Sequence, residues 1–133
     1  MTILNKKYIM TLDIGGTTFT SGLFDSFYNK ISISNELLVK DYNNTSELIF
    51  GLCEQIKTLY KRFDIDKNDI LGLGISAPGP LDSTTGNILD TPNLILLQNT
   101  NLIDSMSKEL DLKIKIENDA NLFALGEWCK NNS

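Results

Sequence analysis

The sequence predicts an α/β domain on a mixed sheet flanked by helices, with elements in the order β-β-β-α-β-α-β-α. Three observations predict it. Residues 8–14, 19–24 and 31–39 are β-rich runs separated by short turn signals, which reads as an antiparallel meander. Past residue 45 the apolar spacing changes from strand-like to helical. Strand-type and helix-type segments then alternate, so the later strands are joined by crossovers and run parallel.

The elements follow in order. Tyr8-Ile9-Met10-Thr11-Leu12-Asp13-Ile14 is interrupted by charge only at Asp13 and is expected to be a buried central strand. A buried carboxylate requires a partner or a metal, which makes Asp13 a candidate site residue. Gly15-Gly16-Thr17-Thr18 then leads into a second strand. A glycine pair between two strands signals a hairpin whose tight turn uses positive φ. A dinucleotide fold or P-loop would enter a helix here, so neither signature is complete. The segment reads as an ordinary turn or as a cradle for polyphosphate, with backbone N–H groups and the Thr17 and Thr18 hydroxyls as donors. In the second case Asp13 can orient water on a phosphate-bound magnesium.

After the third strand, Leu48, Ile49, Leu52, Ile56, Leu59, Tyr60 and Phe63 mark one face of a scaffold helix, with Thr45 or Ser46 as its N-cap. Ile70-Leu71-Gly72-Leu73-Gly74-Ile75-Ser76 is an apolar strand whose glycines suggest close approach by a helix or ligand. It opens into Ala77-Pro78-Gly79-Pro80, either a simple loop breaker or a shaped loop with exposed backbone at Gly79. Asp82-Ser83-Thr84-Thr85-Gly86 is a turn, and Leu102, Ile103, Met106 and Leu110 form a short helix capped near Asn99 or Thr100. Leu112, Ile114 and Ile116 alternate with lysines as the last strand, and residues 120–129 read as the last helix. Asn118 and Asp119 thus stand at a strand-to-helix junction, where free backbone N–H groups collect ligands in open sheets. Two readings of Asp119 are open: a helix N-cap, or a carboxylate held toward a substrate hydroxyl. Asp13, the 76–80 loop and Asn118-Asp119 are all expected at one end of the strands, in a single cleft.

Composition narrows the function classes. The 133 residues suffice for one domain, and 41% hydrophobic content with mixed charge is that of a soluble protein. The net charge of −5 without a basic cluster argues against nucleic acid as a partner. There is no apolar run of membrane-spanning length and no secretory leader, which predicts a cytoplasmic protein. Cys53 and Cys129 fall on apolar helix faces and read as buried free thiols. With no histidine, neither a thiolate–imidazole zinc site nor a histidine-based triad can form.

Three segments together resemble the N-terminal lobe of the ROK family (repressors, open reading frames and sugar kinases). Leu12-Asp13-Ile14-Gly15-Gly16-Thr17 matches its first phosphate motif. Ser76-Ala77-Pro78-Gly79-Pro80-Leu81-Asp82, with Gly86 and Pro92-Asn93-Leu94, is similar to its sugar loop, and Glu117-Asn118-Asp119-Ala120-Asn121, with Ala124-Leu125-Gly126-Glu127, to its catalytic motif. The resemblance implies an actin-like ATPase, ribonuclease-H-like fold and ATP-dependent 6-phosphorylation of a hexose or hexosamine, as in glucokinases. It implies Asp119 as general base, and Gly79, Asn93, Asn118 and Asp119 as sugar ligands. Asp13, Gly15, Gly16, Thr17 and Thr18 would serve ATP, with Asp13 reaching Mg2+ through water. Thr18 stands where family members usually carry lysine or another long polar residue. The family's second lobe, with the adenosine pocket and any structural zinc, is expected to be absent from residues 1–133, so this lobe is expected to be inactive alone. Its partners would be sugar and ATP, without nucleic acid or membrane, and a homodimer is open to the full-length protein. The other class the resemblance offers is the sugar-sensing domain of a ROK-type transcriptional regulator. Only seven residues precede Tyr8, too few for the DNA-binding segment such regulators carry there.

Overall fold

The computed structural model describes residues 7–118. The main sheet contains β1 (Tyr8–Ile14), β2 (Thr18–Asp25), β3 (Lys30–Ile33), β4 (Leu37–Leu38), β5 (Ile70–Ala77) and β9 (Ile114–Asn118). Its order is β3-β2-β1-β5-β9, with β4 also pairing β2. β1 is antiparallel to β2 and parallel to β5, and β5 is parallel to β9. The meander and the later parallel strands are therefore as expected. β6 (Leu81–Asp82), β7 (Asn87–Ile88) and β8 (Thr100–Asn101) form a small antiparallel sheet beyond the end of β5. α1 (Thr45–Arg62) and α2 (Leu102–Leu110) bury their apolar faces against one side of the main sheet. Met10, Leu12, Leu73, Ile75 and Ile116 meet Leu48, Leu52, Ile56 and Met106 there, all fully buried. β5 is buried along its whole length, Gly72 and Gly74 included. Alternation sends Ile9 to the opposite face, and the register shift that skips Leu71 between the Tyr8–Ile70 and Ile9–Gly72 pairs puts Leu71 there too, with Phe24 and Tyr28 packed on them.

Four local expectations are corrected. The run over residues 31–39 is two strands rather than one. Ser34 interrupts it: its N–H donates to Ser21 O at 2.8 Å, and its Oγ accepts from Ser21 N at 2.9 Å, replacing a backbone partner with a side chain. The N-cap of α1 is Asn44, not Thr45 or Ser46; its carbonyl oxygen accepts from Glu47 N at 2.9 Å, while the Thr45 hydroxyl donates instead to Leu96 O at 2.5 Å. The N-cap of α2 is Asn101, accepting from Asp104 N at 3.0 Å, and Asn99 adopts a left-handed turn conformation before it. Phe63 is no part of the apolar face of α1, because it forms the C-cap and is exposed. The last helix and Cys129 lie outside the described residues. Cys53 is buried as expected, and that burial pushes its thiol pKa up to about 11, which keeps it protonated and unreactive.

One buried polar bridge ties α1 to the meander. The Ser21 hydroxyl donates to Gln55 Oε1 at 2.6 Å, and Gln55 Nε2 donates to Asn35 O at 3.0 Å and Phe19 O at 3.5 Å. Gln55→Leu keeps the volume and strands the buried Ser21 hydroxyl, while Asn35 O keeps the bond it accepts from the Ser34 hydroxyl at 3.1 Å. It is expected to cost about 1–3 kcal/mol, the scale of one orphaned buried group. A urea midpoint within error of wild type would show that the bridge contributes nothing.

Candidate functional site

Because β1, β5 and β9 are parallel, their C-terminal ends share one edge of the sheet. Asp13 pairs in register with Ser76, and Ser76 with Glu117; Thr20 on β2 completes the row. Residues in register on neighbouring strands project to the same face. This row lies on the face opposite α1 and α2, since its neighbours in sequence, Leu12, Ile75 and Ile116, are in the helix-side core. Two carboxylates thus flank a hydroxyl. Asp13 is exposed, so the expectation that it is a buried carboxylate is corrected: β1 is central, but its last turn of side chains on this face opens at the sheet's edge. Ser76 is 1% exposed and its Oγ has no hydrogen-bonding partner. Buried hydroxyls are ordinarily satisfied, so an unpartnered one in this row at the strand ends is a candidate contact for an incoming polar group.

The β1–β2 hairpin rises from the same edge. Gly15 N–H donates to Thr18 O at 2.8 Å, and Val39 N–H donates to Thr17 O at 2.8 Å, fixing the tip from both sides. Gly16 and Thr17 are exposed. Neither Gly15 nor Gly16 adopts positive φ, contrary to the expected turn chemistry. Gly16 instead needs to be bare because a Cβ there would stand 2.7 Å from Asn93 O. The Thr18 hydroxyl donates to Glu36 Oε2 at 3.4 Å. Gly79 is exposed in the loop leaving β5, with a cis peptide to Pro80, and Pro80 O accepts from Leu89 N at 3.0 Å. Asn118 is the last residue of β9, beside Ala77. Asp119 follows it and lies outside the described residues.

The fold therefore brings Asp13, the hairpin tip, the start of the 78–80 loop and Asn118 to one end of the sheet, and seats Asn93 against Gly16. Sequence reasoning assigned no role to Ser76 or Glu117. A lone hydroxyl closing an apolar run was the available signal for Ser76, while Glu117 needed the strand register. Asp13, Ser76 and Glu117 present hard oxygen donors of the kind magnesium takes. Among the described residues there is no cluster of three or more metal-ligating side chains, and no helix long and apolar enough to cross a membrane. A groove of about 410 Å3 between α1 and the 34–37 segment lies away from this edge; Leu37, Tyr42 and Phe50 make its lining largely apolar.

Residues 9–133 match the sequence model of the ROK family. The chain belongs to the ROK family. It is 33% identical over 124 residues to a glucokinase of Thermotoga maritima, covering 92% of this chain and 37% of that protein. It is 28% identical to a xylose repressor of Caldicellulosiruptor bescii, covering 90% of this chain and 29% of the repressor. Among solved structures, a ROK glucokinase from Streptomyces griseus in complex with glucose and AMPPNP superposes with a TM-score of 0.72 at 23% identity, over 95% of this chain and 37% of that one. This ROK chain has the actin-like fold of those kinases. It spans a little over a third of the length of the curated kinases it matches.

Proposed function

We propose that residues 1–133 act as the N-terminal lobe of a two-lobe, ATP-dependent sugar kinase that phosphorylates the primary hydroxyl of a hexose or hexosamine. The likeness to the Thermotoga glucokinase over 92% of the chain carries this reading. The sheet edge supports it, because hairpin, loop and Asn118 converge where such a reaction needs phosphate, sugar and base. In this reading the exposed hairpin tip at Gly16 and Thr17 faces the phosphates, and Thr18 adds its hydroxyl only by giving up its bond to Glu36. Asn93, Asn118 and the Gly79 backbone hold sugar hydroxyls. Asp119 accepts the proton of the attacking hydroxyl. Asp13 would hold Mg2+ through water, and the ion would supply neutralisation of the phosphoryl charge. The reaction draws on cytoplasmic ATP and needs the second lobe, so residues 1–133 alone are expected to show no turnover.

Ser76→Ala separates site from scaffold. Deleting an unpartnered buried hydroxyl is expected to leave stability unchanged or raise it by about 1 kcal/mol. kcat/KM of the intact kinase should fall by about tenfold, the scale of one lost hydrogen bond to a charged group. A destabilised Ser76→Ala protein would instead reveal a structural partner.

A second reading has its own observation: the xylose repressor covers nearly the same residues at similar identity. In it, the lobe senses a sugar without phosphorylating it. The protein at the length its gene encodes is to be assayed for ADP release against hexoses, hexosamines and glycosides, beside Asp119→Asn. Turnover of one sugar, abolished by the substitution, supports the kinase. Sugar binding that survives the substitution, without turnover in either protein, supports the sensor.

A further inference from the structure

We infer that Gly16 is a positioning residue for the sugar loop: its missing side chain is the socket in which the Asn93 backbone docks, so the phosphate hairpin and the sugar loop form one mechanical unit. The assignment of those two segments rests on the kinase reading; the docking itself rests on the geometry. A Cβ at residue 16 would lie 2.7 Å from Asn93 O, 3.2 Å from Asn93 Cβ and 3.6 Å from Asn93 C. The first approach is closer than packed atoms tolerate, and it falls on backbone rather than on the end of a flexible side chain. Gly16 is not required by its turn, whose φ lies outside the left-handed region. Close approach is the remaining reason for a bare Cα.

Neither partner can retreat cheaply. The hairpin tip is held by the two 2.8 Å bonds described above and by the Ile14–Phe19 pair beneath it. On the other side, Thr91 is fully buried and organises its loop. Its N–H donates to Leu89 O at 3.0 Å, its hydroxyl donates to Leu94 O at 3.3 Å, and its carbonyl accepts from Gln98 Nε2 at 2.7 Å. Leu94 and Leu97 anchor the same segment in the core, and the Thr45 hydroxyl ties Leu96 O to the first turn of α1. A side chain at residue 16 therefore has to displace one held backbone or the other. Displacement on the loop side would move Asn93 from its place over the sugar. Position within an ångström is what such a reaction depends on, so the contact sets the distance between donor and acceptor pockets.

The test compares wild type, Gly16→Ala and Thr17→Ala in the protein at the length its gene encodes. Amide hydrogen exchange is followed first, without ligand. Gly16→Ala is expected to speed exchange across residues 89–99 by about tenfold, the scale of coupling between residues in contact. Thr17→Ala, whose side chain is exposed, should not. Glucose affinity measured without nucleotide should then fall about tenfold in Gly16→Ala alone. Unchanged exchange in residues 89–99 together with wild-type glucose affinity, the defect being confined to nucleotide, would overturn the inference. If wild type binds no glucose, the sugar that the ADP-release panel selects replaces it; if it binds none of the panel, the kinase reading loses its support while exchange still decides the docking. Should Gly16→Ala fail to fold, Thr91→Val loosens the loop from its far side: faster exchange at residues 15–18 supports the coupling, and an unchanged hairpin tip refutes it.

Discussion

On the kinase reading, with Asp119 as general base, Asp119→Asn is expected to lower kcat of the protein at the length its gene encodes by about 10²- to 10⁴-fold, the usual range for such a base, with sugar affinity changed only a few-fold. Asparagine keeps the size of the side chain and can still hydrogen-bond a sugar hydroxyl. It cannot take the proton as the oxygen–phosphorus bond forms. The residue follows directly in sequence on Asn118, and Asn118 ends β9 beside the strand ends that carry Asp13 and Ser76. The helical pattern expected from the sequence over residues 120–129 would make the Asp119 carboxylate a weak base, since a helix dipole stabilises the charged form. A loose phosphoryl-transfer transition state takes the proton late, so placement counts for more than basicity and the lower half of that range is the better expectation. Steady-state kinetics check it. A fall of less than about fivefold would leave Asp119 as a helix cap or a sugar ligand and remove it from the chemistry.

Gly86→Ala is expected to destabilise the protein by about 2–4 kcal/mol. Two costs combine there. Gly86 sits at φ +86°, where an L side chain is strained by roughly 1–3 kcal/mol. Its Cβ would also lie 2.5 Å from Ile103 Cγ1 and 2.8 Å from Ile103 Cβ, an overpacking of about 1–3 kcal/mol that α2 can only partly relieve. Gly86 N–H donates to Asp82 O at 2.8 Å and Gly86 O accepts from Leu102 N at 2.9 Å, so the residue links the small sheet to the start of α2. A denaturation midpoint measures the total. Adding Ile103→Ala divides it, because the larger cavity removes the steric share and leaves the backbone strain. A single-variant cost below about 1 kcal/mol would mean that the turn rebuilds around alanine.

Much of the architecture was legible in the chain. β-rich and apolar runs marked β1, β2 and β5, alternation marked β9, and helical spacing marked α1 and α2, because runs and periodicities of apolar residues report what faces the core before any contact forms. The misjudged boundaries have particular causes. Asn44 and Thr45 are both good caps, and Thr45 was drawn away by Leu96 O, far along the chain. The break between β3 and β4 depends on Ser34 exchanging two hydrogen bonds with Ser21, a pairing invisible without the register. Asp13 was expected to be buried because its strand is apolar. It is exposed because it stands at the strand's end on the face away from α1 and α2.

Sequence alone determined the order of β1, β2, α1, β5, α2 and β9, the mixed sheet and the motifs that identify the family, since local periodicity and short contiguous motifs survive in one dimension. It did not determine the β3–β4 break or the small sheet of β6, β7 and β8, because short pairings do not survive there. Only the tertiary structure placed Asp13, Ser76 and Glu117 in one row, left the Ser76 hydroxyl unpartnered and made Gly16 the socket for Asn93. Those three facts are relations between segments remote in the chain. They are set by strand register and by the space between backbones, which no single segment encodes.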